Sequence, residues 1–244
     1  MATMENCWDV AASVYERRNK WNKDELKPVN ASGFRAQKWE WGTWLGDGYQ
    51  GGVFDNPTDV IVGFSGTNGP GGNILRAPIS QNTANVRIAV NVVPNMAGSA
   101  FAMVRWAQAM SGNRPVSVVG HSLGGALAQV VGNWAGCPFV SFAGPGMLTH
   151  LRASAFNVFK PKQLVRSVRS TRAERSFGVS FVVQGDWMGG YGKHVGRLIT
   201  LPASNENDRH SLEAIQQGLI SLKLGEKTIA EVFDGPAGEE EAVD

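Results

Sequence analysis

Disulfide chemistry is nearly absent from this chain. Cys7 and Cys137 are its only cysteines, too few for a cross-linked framework, and no histidine follows either one at a zinc-ligand spacing. Both are expected to be reduced, and neither a metal nor a cofactor is required. Long apolar runs are missing as well, since none approaches the roughly 18 residues of a membrane-spanning helix. The start, MATMENCWDVAASVYERR, has neither the basic opening nor the apolar stretch of a secretory signal. The expectation is a cytoplasmic protein, or one exported by a non-classical route. No repeat at a solenoid period is present.

Charge is sparse too. With 18% charged and 43% hydrophobic residues the chain has the balance of an ordinary soluble protein, and its formal net charge is only +2. That total conceals an asymmetry. Residues 235–244 hold Glu239, Glu240, Glu241 and Asp244 with no base and read as an acidic, disordered tail. The stretch 152–175 sets Arg152, Lys160, Lys162, Arg166, Arg169, Arg172 and Arg175 against the single acid Glu174. Two readings of it stay open: a solvated face, or transient attraction to anionic lipid headgroups at a membrane surface. No nucleic-acid partner is expected.

At 244 residues the chain has room for one sizeable core, and residues 1–234 are expected to form a single domain. Residues 2–19 read as a helix, and 34–53 as hairpin strands with Trp39 and Trp41 on one face. From residue 58 onward, apolar strands alternate with helical patterns. Strands are expected at 58–64, 115–120, 138–144, 179–185 and 197–202, and helices at 97–110, 123–135 and 211–222. This alternation predicts an α/β fold, a mostly parallel central sheet with helices on both faces. Gly46-Asp47-Gly48-Tyr49-Gln50-Gly51 matches the dinucleotide-binding spacing, but turn formers and Pro57 follow it where a helix would have to open, so it reads as a hairpin turn.

The most informative stretch is Val118-Val119-Gly120-His121-Ser122-Leu123-Gly124-Gly125-Ala126. It has the form G-x-S-x-G, with a strand before it and a helix after, the setting in which a serine sits on a sharp strand-to-helix turn with its hydroxyl exposed. A serine that merely caps a helix would account for one glycine, not three. A hydroxyl becomes nucleophilic only beside a base, and the base needs an acid to fix its tautomer. Of four histidines, His121 adjoins the serine and should point elsewhere, and His150 precedes any suitable acid. His210 follows the last predicted strand, whereas His194 enters it and would lie at the wrong edge if that strand is parallel. His210 is preferred as base. Asp186 directly follows the apolar strand 179–185 and is preferred as acid over Asp208, which could pair locally with His210. For the oxyanion that forms on acyl attack, the N–H of Leu123 is one expected donor and the turn presenting Thr67, after the strand 58–64, supplies the other.

These residues together resemble the class 3 lipase family, the fungal-lipase-like branch of the α/β hydrolases. The likeness covers roughly residues 58–215. It rests on Phe64-Ser65-Gly66-Thr67, on the elbow from Val119 to Ala128, and on Gly185-Asp186 followed by His194-Val195-Gly196. It implies an α/β-hydrolase fold and hydrolysis of lipid esters, with Ser122 as nucleophile, Asp186 as acid, His210 as base, and Thr67 with Leu123 as the oxyanion hole. Two departures stand out. Ser65 occupies a position where the family usually has arginine, and Asn95 to Phe101 replace an H-x-G-F motif. The resemblance also makes residues 68–95 a lid region, though an ordinary core element explains its apolar run VRIAVNVV equally well. Alternatives to a lipase or esterase are a phospholipase A acting on anionic phospholipids, for instance as an exported antibacterial effector, and a non-catalytic lipid-binding relative.

Overall fold

The computed structural model describes residues 1–15, 33–41, 50–66, 83–154, 177–203 and 209–235, with only the backbone at 39–41, 83–95 and 152–154. Thr67, the first part of the expected lid region, most of the hairpin turn at 46–51, the basic stretch beyond residue 154, Asp208 and the tail beyond Gly235 lie outside these residues.

Among the described residues, seven strands form one sheet in sequence order: β1 (Arg35–Trp41), β2 (Gln50–Asp55), β3 (Val60–Phe64), β4 (Val116–His121), β5 (Phe139–Phe142), β6 (Gly178–Val183) and β7 (Arg197–Leu201). The first two pairings are antiparallel, with a register shift in β1 between Ala36 and Lys38. From β3 to β7 every pairing is parallel. The middle strands are buried along their whole length, which is why they read as continuous apolar runs rather than alternating ones.

Alternate residues of these strands feed two separate cores. Val60, Val62, Phe64, Val118 and Phe139 pack beneath α2 (Thr83–Met110) and α3 (Leu123–Ala135). Ile61, Val119, Val140, Phe142, Val179, Phe181 and Val183 point the other way, toward α1 (Met4–Ser13), α5 (Leu212–Ser221) and α6 (Ile229–Asp234). The result is an α/β/α layering set by the two-residue period of the strands. α4 (Leu148–Ser154) follows β5.

Local chemistry starts the helices. Thr3 and Asn6 form a capping box at α1. Ser211 caps α5 through the Ala214 N–H at 3.1 Å, and Thr228 with Glu231 boxes α6. The expected first helix is shorter than read, ending at Ser13. The helix read as 97–110 begins at Thr83, so residues 83–95 of the expected lid region are the first turns of α2. Pro94, which has no N–H to donate, disguises that continuity in the sequence.

Phe139 is fully buried in the first core. A β-carbon on Gly178 of β6 would enter its ring, and one on Gly132 of α3 would press on its Cβ. Replacing it with alanine, Phe139→Ala, is expected to lower unfolding free energy by about 3–5 kcal/mol in a denaturant titration, and a loss below about 1 kcal/mol would contradict this packing.

Candidate active site

Ser122 stands between β4 and α3 with φ 57° and ψ −125°, a positive-φ conformation unusual for a residue with a side chain. The turn is tight enough to dictate its neighbours. A β-carbon on Gly120 would enter the carbonyl of Gly124, and one on Gly124 would enter the carbonyl of Phe64 at the end of β3. Ser122 occupies the N-cap position of α3, yet its side chain makes no capping hydrogen bond. The hydroxyl is therefore free for other partners.

Those partners come from two distant segments. His210, on the segment between β7 and α5, places Nε2 2.9 Å from the Ser122 Oγ. Its Nδ1 lies 2.9 Å from Oδ2 of Asp186, which follows β6 after a turn at Gly185. The Asp186 side chain is 1% exposed, and its Oδ1 accepts the Met188 N–H at 3.1 Å. With Nδ1–H donated to that carboxylate, Nε2 is left as the acceptor facing the serine hydroxyl. Such a set can take a proton from Ser122 and hold the resulting imidazolium against a buried negative charge. The Met188 sulfur also approaches Ser122 Oγ, at 3.8 Å.

Ser122, Asp186 and His210, the three residues singled out from the sequence, are thus brought together. Leu123 opens α3, where the first N–H groups are not used by the helix itself. Thr67 lies outside the described residues, but Gly66 before it runs beside Ser122: a β-carbon there would stand 3.1 Å from the Ser122 Cβ. His194 precedes β7, which is parallel to β6. Burial lowers its pKa. Among the described residues, no group of three or more His, Cys, Asp or Glu could hold a metal ion, and no helix is long and apolar enough to cross a membrane.

Two further groups lie at the site, and their pairing carries no sequence signal. His121 turns away from the serine hydroxyl; its Nδ1 is 2.8 Å from the Tyr15 hydroxyl and its Nε2 is 2.7 Å from the main-chain carbonyl of His210. Tyr15 follows α1 and accepts the Gly66 N–H at 2.8 Å. Tyr15 and His121 are 106 positions apart, so no local pattern could have paired them.

Burial, helped by the charge of His210 nearby, pushes the His121 pKa down from 6.5 to about 3. Between those values the unfolded chain binds a proton that the folded protein does not. Stability from this group is therefore complete above about pH 6.5 and falls as pH is lowered toward 3. Denaturant titrations across that window are expected to show a steeper acid-side loss for the natural protein than for His121→Gln, and equal slopes would contradict a buried neutral imidazole.

No protein-family model and no curated protein matches the chain. Solved structures do. A mutant form of MDLA from Penicillium cyclopium superposes with a TM-score of 0.53 at 15% identity, covering 85% of this chain and 83% of that one. A lipase from Rhizopus microsporus var. chinensis gives 0.51 at 14% identity, over 93% and 83%. A structure described as a fungal lipase gives 0.51 at 12% identity, over 86% and 83%. The parallel sheet, the helices on its two faces and these likenesses together establish an α/β-hydrolase fold of the fungal-lipase kind.

Proposed function

We propose that this protein is a serine hydrolase that cleaves carboxylic ester bonds of lipids through an acyl-enzyme. The observation that carries the reading is the run of two 2.9 Å contacts from Ser122 through His210 to the buried Asp186, with Ser122 held at positive φ. Lipid esters are favoured as substrates because proteins of this fold with measurable likeness to the chain are described as lipases.

In this mechanism His210 Nε2 takes the Ser122 proton as Oγ attacks the acyl carbon. The carbonyl oxygen becomes an anion, held by the N–H groups of Leu123 and Thr67. Collapse of the tetrahedral intermediate expels the alcohol, which leaves with the proton from His210. Water, deprotonated by the same imidazole, then attacks the acyl-enzyme; the acyl–Oγ bond breaks, Ser122 Oγ takes the proton back from His210, and the carboxylic acid is released. Asp186 keeps His210 in the required tautomer throughout. The chemistry proceeds with residues 1–234 as one domain and uses no cofactor.

The second reading, a phospholipase A that meets anionic membranes, is favoured by the basic stretch 152–175. Hydrolysis of tributyrin against phosphatidylglycerol vesicles separates the two readings. On the better substrate, Ser122→Ala or His210→Ala is expected to lower turnover by about 10⁴- to 10⁶-fold, and Asp186→Asn by about 10⁴-fold. Turnover surviving the loss of Ser122 or His210 refutes the assignment.

A further inference from the structure

Around His121 four polar groups join in one line, and their chemistry fixes the direction of every bond. The main-chain carbonyl of His210 can only accept, so the proton of the His121 ring sits on Nε2. A neutral ring protonated there presents Nδ1 as an acceptor, and the Tyr15 hydroxyl must donate to it. The oxygen of that hydroxyl in turn takes the Gly66 N–H. Burial raises the Tyr15 pKa, which keeps the phenol a donor. The far end of the line is anchored as well: Gln50 Nε2 donates to the Val14 carbonyl at 2.5 Å, and the Gln50 main-chain carbonyl accepts the Ser65 N–H at 2.9 Å.

We propose that Tyr15 and His121 are positioning residues. Their relay, from Gly66 N–H through the Tyr15 hydroxyl and the His121 imidazole to the His210 carbonyl, holds the exit of β3 and the backbone of the base in fixed register with Ser122. The inference rests on the hydrolase reading above. Its physical basis is that two segments which must converge on the nucleophile, the exit of β3 at Gly66 and the backbone of His210, are joined through the Tyr15 hydroxyl and the His121 ring. Gly66 passes beside Ser122 Cβ, while His210 arrives from the opposite end of the chain. The His121 ring, whose centroid is 5.2 Å from that of His210, spans the gap. Bonds donated in one direction along a chain polarise and strengthen one another, so loss of either member releases both ends.

The test compares Tyr15→Phe, which keeps the ring and deletes the hydroxyl, with His121→Phe and the double variant. The readouts are the rate of fluorophosphonate labelling at Ser122 and steady-state hydrolysis of a short p-nitrophenyl ester, both per folded molecule. Each single change is expected to lower labelling and kcat about tenfold with KM unchanged. The double variant is expected to match the worse single variant, because the relay is already broken. Losses that multiply, or wild-type rates in Tyr15→Phe, overturn the proposal, as does a lowered melting temperature with kcat unchanged. If a variant does not fold, the imidazole ¹⁵N spectrum of the natural protein decides: the relay requires neutral His121 with its proton on Nε2, and a proton on Nδ1 overturns it. Natural protein whose Ser122 ignores the probe refutes the hydrolase reading and the relay together. Natural protein that reacts, alongside a Tyr15→Phe variant that reacts equally fast, refutes the relay alone.

Discussion

The close approach of α3 to the exit of β3 governs the arrangement of the site. Where Gly124 meets the Phe64 carbonyl there is no room for a β-carbon, and the same turn forces Ser122 into positive φ. That conformation costs about 1–3 kcal/mol for a residue with a side chain. It persists because the backbone on either side is pinned: Ser122 N–H bonds to the Phe142 carbonyl at 2.9 Å, and its own carbonyl accepts the Ala126 N–H at 3.1 Å. Helix and sheet, packed through two buried cores, hold the turn closed.

From that constraint the rest of the chemistry follows. A serine raised clear of β4 and unused as a cap has its hydroxyl available to His210. Asp186 is sealed from water by its position after β6, so its carboxylate spends its hydrogen-bonding capacity on the imidazole and on the Met188 N–H rather than on solvent. The neighbouring His121 stays neutral through burial, so it sets no positive charge beside His210. Two histidines 5.2 Å apart thus have different partners, His210 lying against Ser122 and Asp186 and His121 against Tyr15 and the His210 carbonyl.

Much of the fold is legible in the chain because its signals are local. α3 runs over the residues that its apolar pattern marks, 123–135, and the five parallel strands fall within a few residues of the apolar runs that announce them. The short helices α4 and α6 escape such reading: each offers fewer than two full turns of pattern, and α6 declares itself only through the Thr228 and Glu231 box. The start of α2 was hidden by Pro94, and Ala97 is where unbroken helical spacing resumes.

The sequence by itself determined the elbow, since glycine sterics and a strand followed by a helix are properties of a dozen neighbouring residues. It also narrowed acid and base to a few candidates, because the ends of parallel strands gather along one edge of a sheet. Only tertiary structure decided which of them meet. The 2.9 Å contact between Ser122 and His210 joins residues 88 positions apart, and the Tyr15 hydroxyl reaches His121 across 106. Such distances depend on how three layers pack, and a one-dimensional pattern holds no record of the angle at which a distant loop returns.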